Sequence, residues 1–419
     1  MKKIAIIGTG ISGLSAAYLL QQKADVTIYE KQSRLGGHAR TLSIDYNGVP
    51  INVDTGFIVF NYRNYPNLTG LFKELDVKVE KSDMSLGLSL EQALFEWGCR
   101  NLNAVFGQRS NLIKPRFWAM LRNIFTFNKH ALTTAKNNKD LTLKQLLNTL
   151  NLSEDFKHRF LLPTAGAIWS TSPEQILDFP AYSFAVFFDN HGLLTINDQP
   201  QWYTVSNGSQ QYVEKISAHF KNAVKLDASV SSVERRNDGV YVTTHKNETH
   251  IYDEVVIASH SDQAIEMLTN PTEDERNILG NMEYQPNIAY LHKDPSFMPK
   301  RRAIWSSWNY LCDDATDSRP HITVTYWMNL LQNISNDTPL FVTLNPPSPP
   351  RAESIFNKHI FEHPVYNMQM LDAQERFHTI QGKDRIWFAG AYQRYGFHED
   401  GISSAVAIAK HMGCSIPWE

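Results

Sequence analysis

The 419-residue sequence predicts an α/β protein, a mainly parallel sheet of Rossmann-like type whose segments are scattered along the chain, with an α+β domain inserted between them. Three observations predict it. Ile4-Ala5-Ile6-Ile7-Gly8-Thr9-Gly10-Ile11-Ser12-Gly13 reads as a buried strand, a glycine turn and the start of a helix. A second strand, Asp25 to Tyr29, ends at the acidic Glu30. Near the C-terminus Arg385-Ile386-Trp387-Phe388-Ala389-Gly390-Ala391 repeats the strand-then-glycine pattern ahead of a last helix, Gly401 to Met412.

The first turn is a dinucleotide-binding fingerprint. Gly8 allows the tight turn, Gly10 removes the Cβ that would block a pyrophosphate, and Gly13 lets helix pack on strand. The helix N-terminus that follows, with Ser12 in its first turn, offers free N–H groups to phosphate. Glu30 stands about twenty residues on, where a carboxylate accepts hydrogen bonds from a ribose. Lys31 follows it, and no arginine is beside it to receive a 2′-phosphate, which disfavours NADP. Arg34-Leu35-Gly36-Gly37-His38-Ala39-Arg40-Thr41 adds a glycine pair that lets backbone approach an extended cofactor.

With these residues the chain resembles the FAD-dependent amine oxidase and phytoene desaturase superfamily, whose members combine the glycine turn, the acidic strand end and a glycine doublet. The resemblance implies a glutathione-reductase-like FAD-binding domain holding FAD non-covalently. A plain NAD-binding domain is the alternative. Within that superfamily the segments GTGISGLSAAYLL, EKQSRLGGHART, VDTGFIVFNYRNYPNL, WSTSP, FFDNHGLL and GFHEDGISSA resemble a bacterial group of predicted FAD/NAD-binding oxidoreductases. Members of that group are often encoded beside cyclopropane-fatty-acyl-type methyltransferases, which implies acyl-chain chemistry.

Composition sets the outer limits. Hydrophobic content of 42%, charged content of 20% and a net charge of −3 describe an ordinary globular chain and select no partner. Cys99, Cys312 and Cys414 are too scattered for a disulfide framework or a CxxC pair, and no HExxH or Cys/His cluster suggests a metal. Neither a signal peptide nor an apolar run of about 18 residues is found, so the expectation is a cytoplasmic protein, at most peripheral to the inner face of a membrane.

Taken in order, Leu42 to Tyr46 and Val49 to Val53 form a hairpin about Asn47-Gly48. It delivers Asp54-Thr55-Gly56-Phe57, which by resemblance runs past the ribityl chain and flavin ring. Asn64 to Leu75 reads as a helix, Ser85 to Leu90 and Ala93 to Trp97 as strands. From Arg100 to Lys139 there are eight basic residues and no acidic one, interleaved with Phe117, Trp118, Leu121, Ile124, Phe125 and Phe127 near helical spacing. That segment suits either an anionic membrane surface or a core-packed helix with solvated charges, and no nucleic-acid motif accompanies it. Aromatic segments around Trp169 and Asn190-His191 suit an apolar substrate cavity. Trp202 to Gln210 returns the chain to the FAD domain, followed by a helix from Tyr212 to Phe220. Strands are then expected at Val224 to Val233, Val240 to Thr244, Thr249 to Ile251 and Asp253 to Ala258, and by resemblance the Val230 backbone meets adenine. Strands near Ile288 to Leu291, Ala303 to Trp308, Ile322 to Trp327 and Leu340 to Thr343 make a substrate-domain sheet. The expected division is residues 1–70, 208–268 and 370–419 for FAD and 71–207 and 269–369 for substrate.

In the resembled fold Gly390 and Ala391 flank the flavin, and the helix N-terminus at Gly401 and Ile402 faces its N1 and C2 carbonyl edge. Many relatives carry Glu or Asp where this chain has Ala391, and Asp400 is the candidate to replace that ribitol contact. Phe397 and His398 fall where amine oxidases place part of an aromatic cage, with Tyr395 close by, and His398 is the candidate proton-handling or substrate-orienting group, a histidine that only hydrogen-bonds flavin or caps the final helix being the alternative. The lysine of true amine oxidases has no equivalent, for Asn287 holds the matching position and Lys293 comes late. The expected reaction is hydride transfer from an apolar substrate such as a lipid acyl chain to flavin N5. An amine oxidase, a redox-neutral flavin isomerase and a non-catalytic flavin-binding accessory protein are the alternatives.

Overall fold

Alternate residues of the first strand, Lys2–Ile7, face opposite ways, so Ile4 and Ile6 enter one buried cluster and Ala5 and Ile7 another. This two-sided burial marks the central strand of a parallel sheet covered on both faces. In the computed structural model, which describes residues 1–169, 173–190, 192–195, 199–312 and 322–419, that sheet has five parallel strands. Its order is Val224–Lys225, Ala24–Tyr29, Lys2–Ile7, Glu254–Ile257 and Ile386–Phe388. Ile11–Leu20 and the closing helix His398–His411 pack together on one face. The antiparallel meander Val230–Arg236, Gly239–Thr244 and Thr249–Tyr252 covers the other with Met368–Arg376.

A second sheet has seven strands in the order Ile355–Pro364, Tyr284–His292, Phe341–Leu344, Ile322–Trp327, Trp308–Cys312, Leu86–Leu90 and Phe95–Gly98, antiparallel except where Trp308–Cys312 meets Leu86–Leu90. Helices between residues 102 and 190 pack on it through an aromatic cluster that includes Phe117, Phe127, Phe156, Phe184 and Phe188. Buried Asp54 links the two sheets. Its carboxylate accepts from Ser209 N and Oγ, from Thr41 Oγ1 and from Gln332 Nε2 at 2.6 to 3.0 Å, and burial pushes its pKa up to about 6.

Three expected elements differ. The strand read as Val224 to Val233 is two, because Val224–Lys225 stays in the parallel sheet while Val230–Arg236 leaves it for the meander. Arg302–Ile304 is a 3₁₀ turn and the strand starts only at Trp308, since the Arg302 guanidinium stacks on Trp305 instead of alternating across a sheet. The closing helix begins at His398, where the Asp400 carboxylate accepts from Phe397 N at 2.9 Å and caps it. Trp169 and Asn190 close described helices without described side chains, and Ser170 to Ser172 and His191 lie outside the described residues.

Candidate active site

The carboxyl ends of the parallel strands converge on a crevice built from glycine contacts, the place where open α/β sheets receive their ligands. Gly8 sits at φ 105°, and a Cβ at Gly13 would lie 1.9 Å from Gly8 O, so this turn tolerates no side chain there. Gly10 differs: nothing lies within 4 Å of where its Cβ would be. The open space lies in front of the N-terminus of Ile11–Leu20, which no side chain caps. An open, uncapped helix N-terminus of this kind suits a phosphate group. A Cβ on Gly37, which sits at φ 56°, would lie 3.0 Å from Gly10 Cα, and a Cβ on Gly56 would be 2.1 Å from His38 O. Gly401 presses on Ile11 and Ser12, joining the closing helix to the first one.

Around the cradle the polar candidates take identifiable places. Buried Glu30 accepts from Thr9 N at 3.1 Å and from Thr9 Oγ1, with Gln32 N on its other oxygen at 2.8 Å, which fixes the carboxylate beside the turn. Lys31 is exposed next to it. Ala228 N donates to Glu30 O, which brings the chain just before Val230 to the same edge. Arg34 holds the doublet loop through Gly37 O at 2.9 Å, and Arg40 reaches Thr55 Oγ1 at 3.0 Å and Asn357 Oδ1 at 3.2 Å. Phe57 N donates to His38 O. Gly390 N donates to Ser404 Oγ, and Ala391 opens the next turn. A dinucleotide cofactor fits these residues, which offer open space at Gly10 before a helix N-terminus, the Glu30 carboxylate beside the turn, and close-packed backbone at the doublet and Gly56.

The last motif requires two corrections. Gly401 N is already bonded to Phe397 O, so the positive helix end lies at His398 to Asp400 and not at Gly401 and Ile402. Asp400 caps its own helix, with a pKa raised to about 6 by burial. Burial also disfavours the charged form of His398. It stacks on Phe57 at 3.7 Å, accepts or donates through Nε2 to Tyr212 OH at 3.0 Å, and burial lowers its pKa to about 3. Glu399, beside it, takes Asn67 N and Leu68 N at 3.0 Å and so caps the helix Pro66–Glu74.

A different histidine faces the doublet. Along Ile355–Pro364 the residues Asn357, His359, Phe361 and His363 share one side, and His38 lies 5.2 Å from Phe361 and 5.5 Å from His363 between ring centroids. Ile288 N donates to Asn345 Oδ1 at 2.8 Å, and a backbone N–H can only meet an oxygen. That orients Asn345, whose Nδ2 donates to Asn287 Oδ1 at 2.8 Å, and Asn287 Nδ2 must then donate to His363 Nδ1 at 3.1 Å. The relay therefore assigns the His363 proton to Nε2, which has no partner among the described residues. Burial, reinforced by His260, lowers the His363 pKa to about 4 and keeps the ring neutral. Asn287 thus comes to the site as its position suggested, while Lys293 lies over Tyr46 and Phe356.

Beyond the closing turn is a mainly apolar cleft of about 250 Å³, lined by Phe179, Phe184, Phe187, Met368, Leu371, Tyr366 and Tyr395 with Asp178 exposed at its rim. Phe187 brings two predicted residues together, with its ring 5.5 Å from both Tyr395 and Phe397. Tyr366 OH is buried without a partner, and a Cβ on Gly396 would come within 2.6 Å of it. Sequence reasoning missed Tyr366, His363 and Asn345. Alternation of His359, Phe361 and His363 was the one available signal.

The profile of the flavin containing amine oxidoreductase family matches residues 11–338, and the chain belongs to that family. Among curated proteins it is similar to carotenoid phi-ring synthase of Streptomyces griseus, 36% identical over 75 residues, 17% of this chain and 14% of that protein. It is also similar to polyenoic fatty acid isomerase of Ptilota filicina, 37% identical over 86 residues, 19% of this chain and 17% of that one. These matches span under a fifth of either relative. Among solved structures, a fatty acid isomerase of P. acnes that produces CLA superposes with a TM-score of 0.69 at 15% identity, covering 98% of both chains.

Proposed function

We propose that this member of the flavin containing amine oxidoreductase family binds FAD non-covalently and acts on an elongated apolar substrate such as a lipid acyl chain. The observation that carries the substrate class is the cleft, whose phenylalanine lining continues through Phe187 to Tyr395 and Phe397 at the closing motif. An acyl chain is recognised by such burial, and the cleft lining offers one carboxylate, Asp178 at an exposed rim, to pair with a cationic substrate. FAD specifically is supported by the open space at Gly10 and by Glu30 beside it, and non-covalent binding by the absence of cysteine from residues 385–401. By the same reading residues 1–70, 208–268 and 370–419 hold cofactor and 71–207 and 269–369 hold substrate.

FAD would supply the hydride acceptor. The chain's own residues do the rest. The aromatic lining orients the chain and excludes water, and His363 offers a neutral Nε2–H donor that the Asn287 N–H at Nδ1 prevents from acting as a base. Redox-neutral isomerisation, in which the hydride returns to another carbon and no external acceptor is needed, is the second reading. Both fatty acid isomerases among the similar proteins favour it.

Anaerobic mixing of the FAD-loaded protein with acyl lipids and with an amine panel, followed by mass spectrometry, tests these readings. Flavin bleaching with a product two mass units lighter supports dehydrogenation, and product of unchanged mass with a shifted double bond supports isomerisation. Bleaching by amines alone would replace the acyl substrate with an amine. Tight flavin binding without turnover of either would make the protein an accessory one.

A further inference from the structure

We propose that the outward face of the helix Pro115–Asn137 docks on an anionic lipid bilayer. The helix has two opposed stripes. Phe117, Met120, Phe127, Ala131 and Ala135 are buried, and through Phe127 this stripe reaches Phe188 at 6.3 Å, on the helix that lines the cleft. On the far side Trp118, Arg122, Phe125, Lys129 and Lys136 follow one another at helical spacing, and all are exposed. Trp118 is 48% and Phe125 60% exposed, and Ile113, just before the helix, is 84% exposed. Trp118 Nε1 donates to Leu112 O at 2.9 Å, which sets its ring beside a second exposed apolar residue.

A solvated face would carry charges of both signs and few aromatics. This one alternates rings with cations, no Asp or Glu occurs from residue 100 to 139, and the side chains of Arg122, Lys129 and Lys136 have no hydrogen-bond or ion-pair partner among the described residues. Rings that enter the interface and cations that meet lipid phosphates are what a helix lying in the plane of an anionic membrane requires. Among the described residues no helix is long and apolar enough to cross a membrane, so the contact is peripheral. The core-packed reading of this segment and the interfacial one thus apply to opposite stripes of one helix.

Flotation of the full-length protein with phosphatidylcholine vesicles, with and without 30% phosphatidylglycerol, tests the proposal without reference to turnover. Binding is expected only with phosphatidylglycerol and should weaken as salt rises. The exposed double variant W118A/F125A should lose at least about tenfold in partitioning. Charge reversal in R122E/K129E should lose more, at about fivefold for each cation removed. Thermal unfolding should be unchanged in R122E/K129E and lowered by only a few degrees in W118A/F125A, which loses the Trp118 contacts with Leu112 O and Phe106 but leaves the buried stripe intact. Equal binding to both vesicle types, binding indifferent to the variants, or no binding would overturn the proposal. Self-association of the wild type that W118A/F125A abolishes would assign the face to a second copy of the chain instead, and also overturn it.

Discussion

The two halves of the site are made of different materials. The cofactor half is shaped by what side chains leave out: Gly8, Gly13, Gly37 and Gly56 bring backbone to backbone, Gly10 leaves open space, Gly401 lets the closing helix meet Ile11 and Ser12, and Glu30 is its buried carboxylate. The substrate half is shaped by what side chains fill, with Phe187, Tyr366, Tyr395, Phe397 and the Asn345, Asn287 and His363 relay. Backbone contacts need residues at fixed sequence spacing. Side-chain contacts here join residues 187, 287, 345, 363 and 397, which no local spacing relates.

The comparison breaks most severely at Gly13. Gly13→Val would drive a Cβ into Gly8 O and should abolish the folded domain, seen as insoluble or flavin-free protein. Gly10→Ala sharpens it: with no protein atom near, the unliganded protein should unfold within about 1 kcal/mol of wild type in denaturant titration, while FAD affinity falls at least about a hundredfold by fluorescence titration. A stable Gly10→Ala protein with normal FAD affinity would remove the pyrophosphate from that cradle.

On the substrate side Phe187→Ala, at a residue 1% exposed, should cost about 3 to 4 kcal/mol of stability by chemical denaturation. It should leave FAD affinity within about threefold and raise KM for long acyl chains about tenfold. Glu30→Gln should weaken FAD by about tenfold, the worth of one charge-assisted hydrogen bond, with the substrate half untouched. His363→Phe should lower turnover by about ten- to a hundredfold with FAD affinity retained, and a loss of both together would place His363 in the cofactor half.

The smallest effect concerns pH. His38, His260, His292, His359, His363 and His398 all have lowered pKa values, chiefly from burial, so the unfolded chain takes up protons below about pH 6.5 that the folded chain refuses. Their contribution is complete above that pH and is lost on acidification. Asp54 and Asp400, raised to about 6, act oppositely, favouring the fold as pH falls through about 6, and the raised Glu399 acts in the same direction. With six groups against three, the melting temperature should fall from pH 7 to pH 5, and His363→Phe should flatten that slope in calorimetry.

The sequence by itself determined the parallel sheet, the glycine turn, the acidic strand end and the doublet loop, because each depends on a local conformation that only certain residues adopt. Asn287 was singled out only by resemblance, as the position where amine oxidases carry a lysine. Tertiary structure alone decided three things. It made His363 Nδ1 an acceptor, because pairing of Tyr284–His292 with Ile355–Pro364 sets Asn287 beside it, and it lowered the proton affinity of His398, because Phe57 and Tyr212 enclose that ring. It moved the positive helix end from Gly401 to His398, because a capping carboxylate starts a helix where its hydrogen bond closes. Burial and partnership over long sequence distances set a side chain's proton affinity, and a one-dimensional pattern does not contain them.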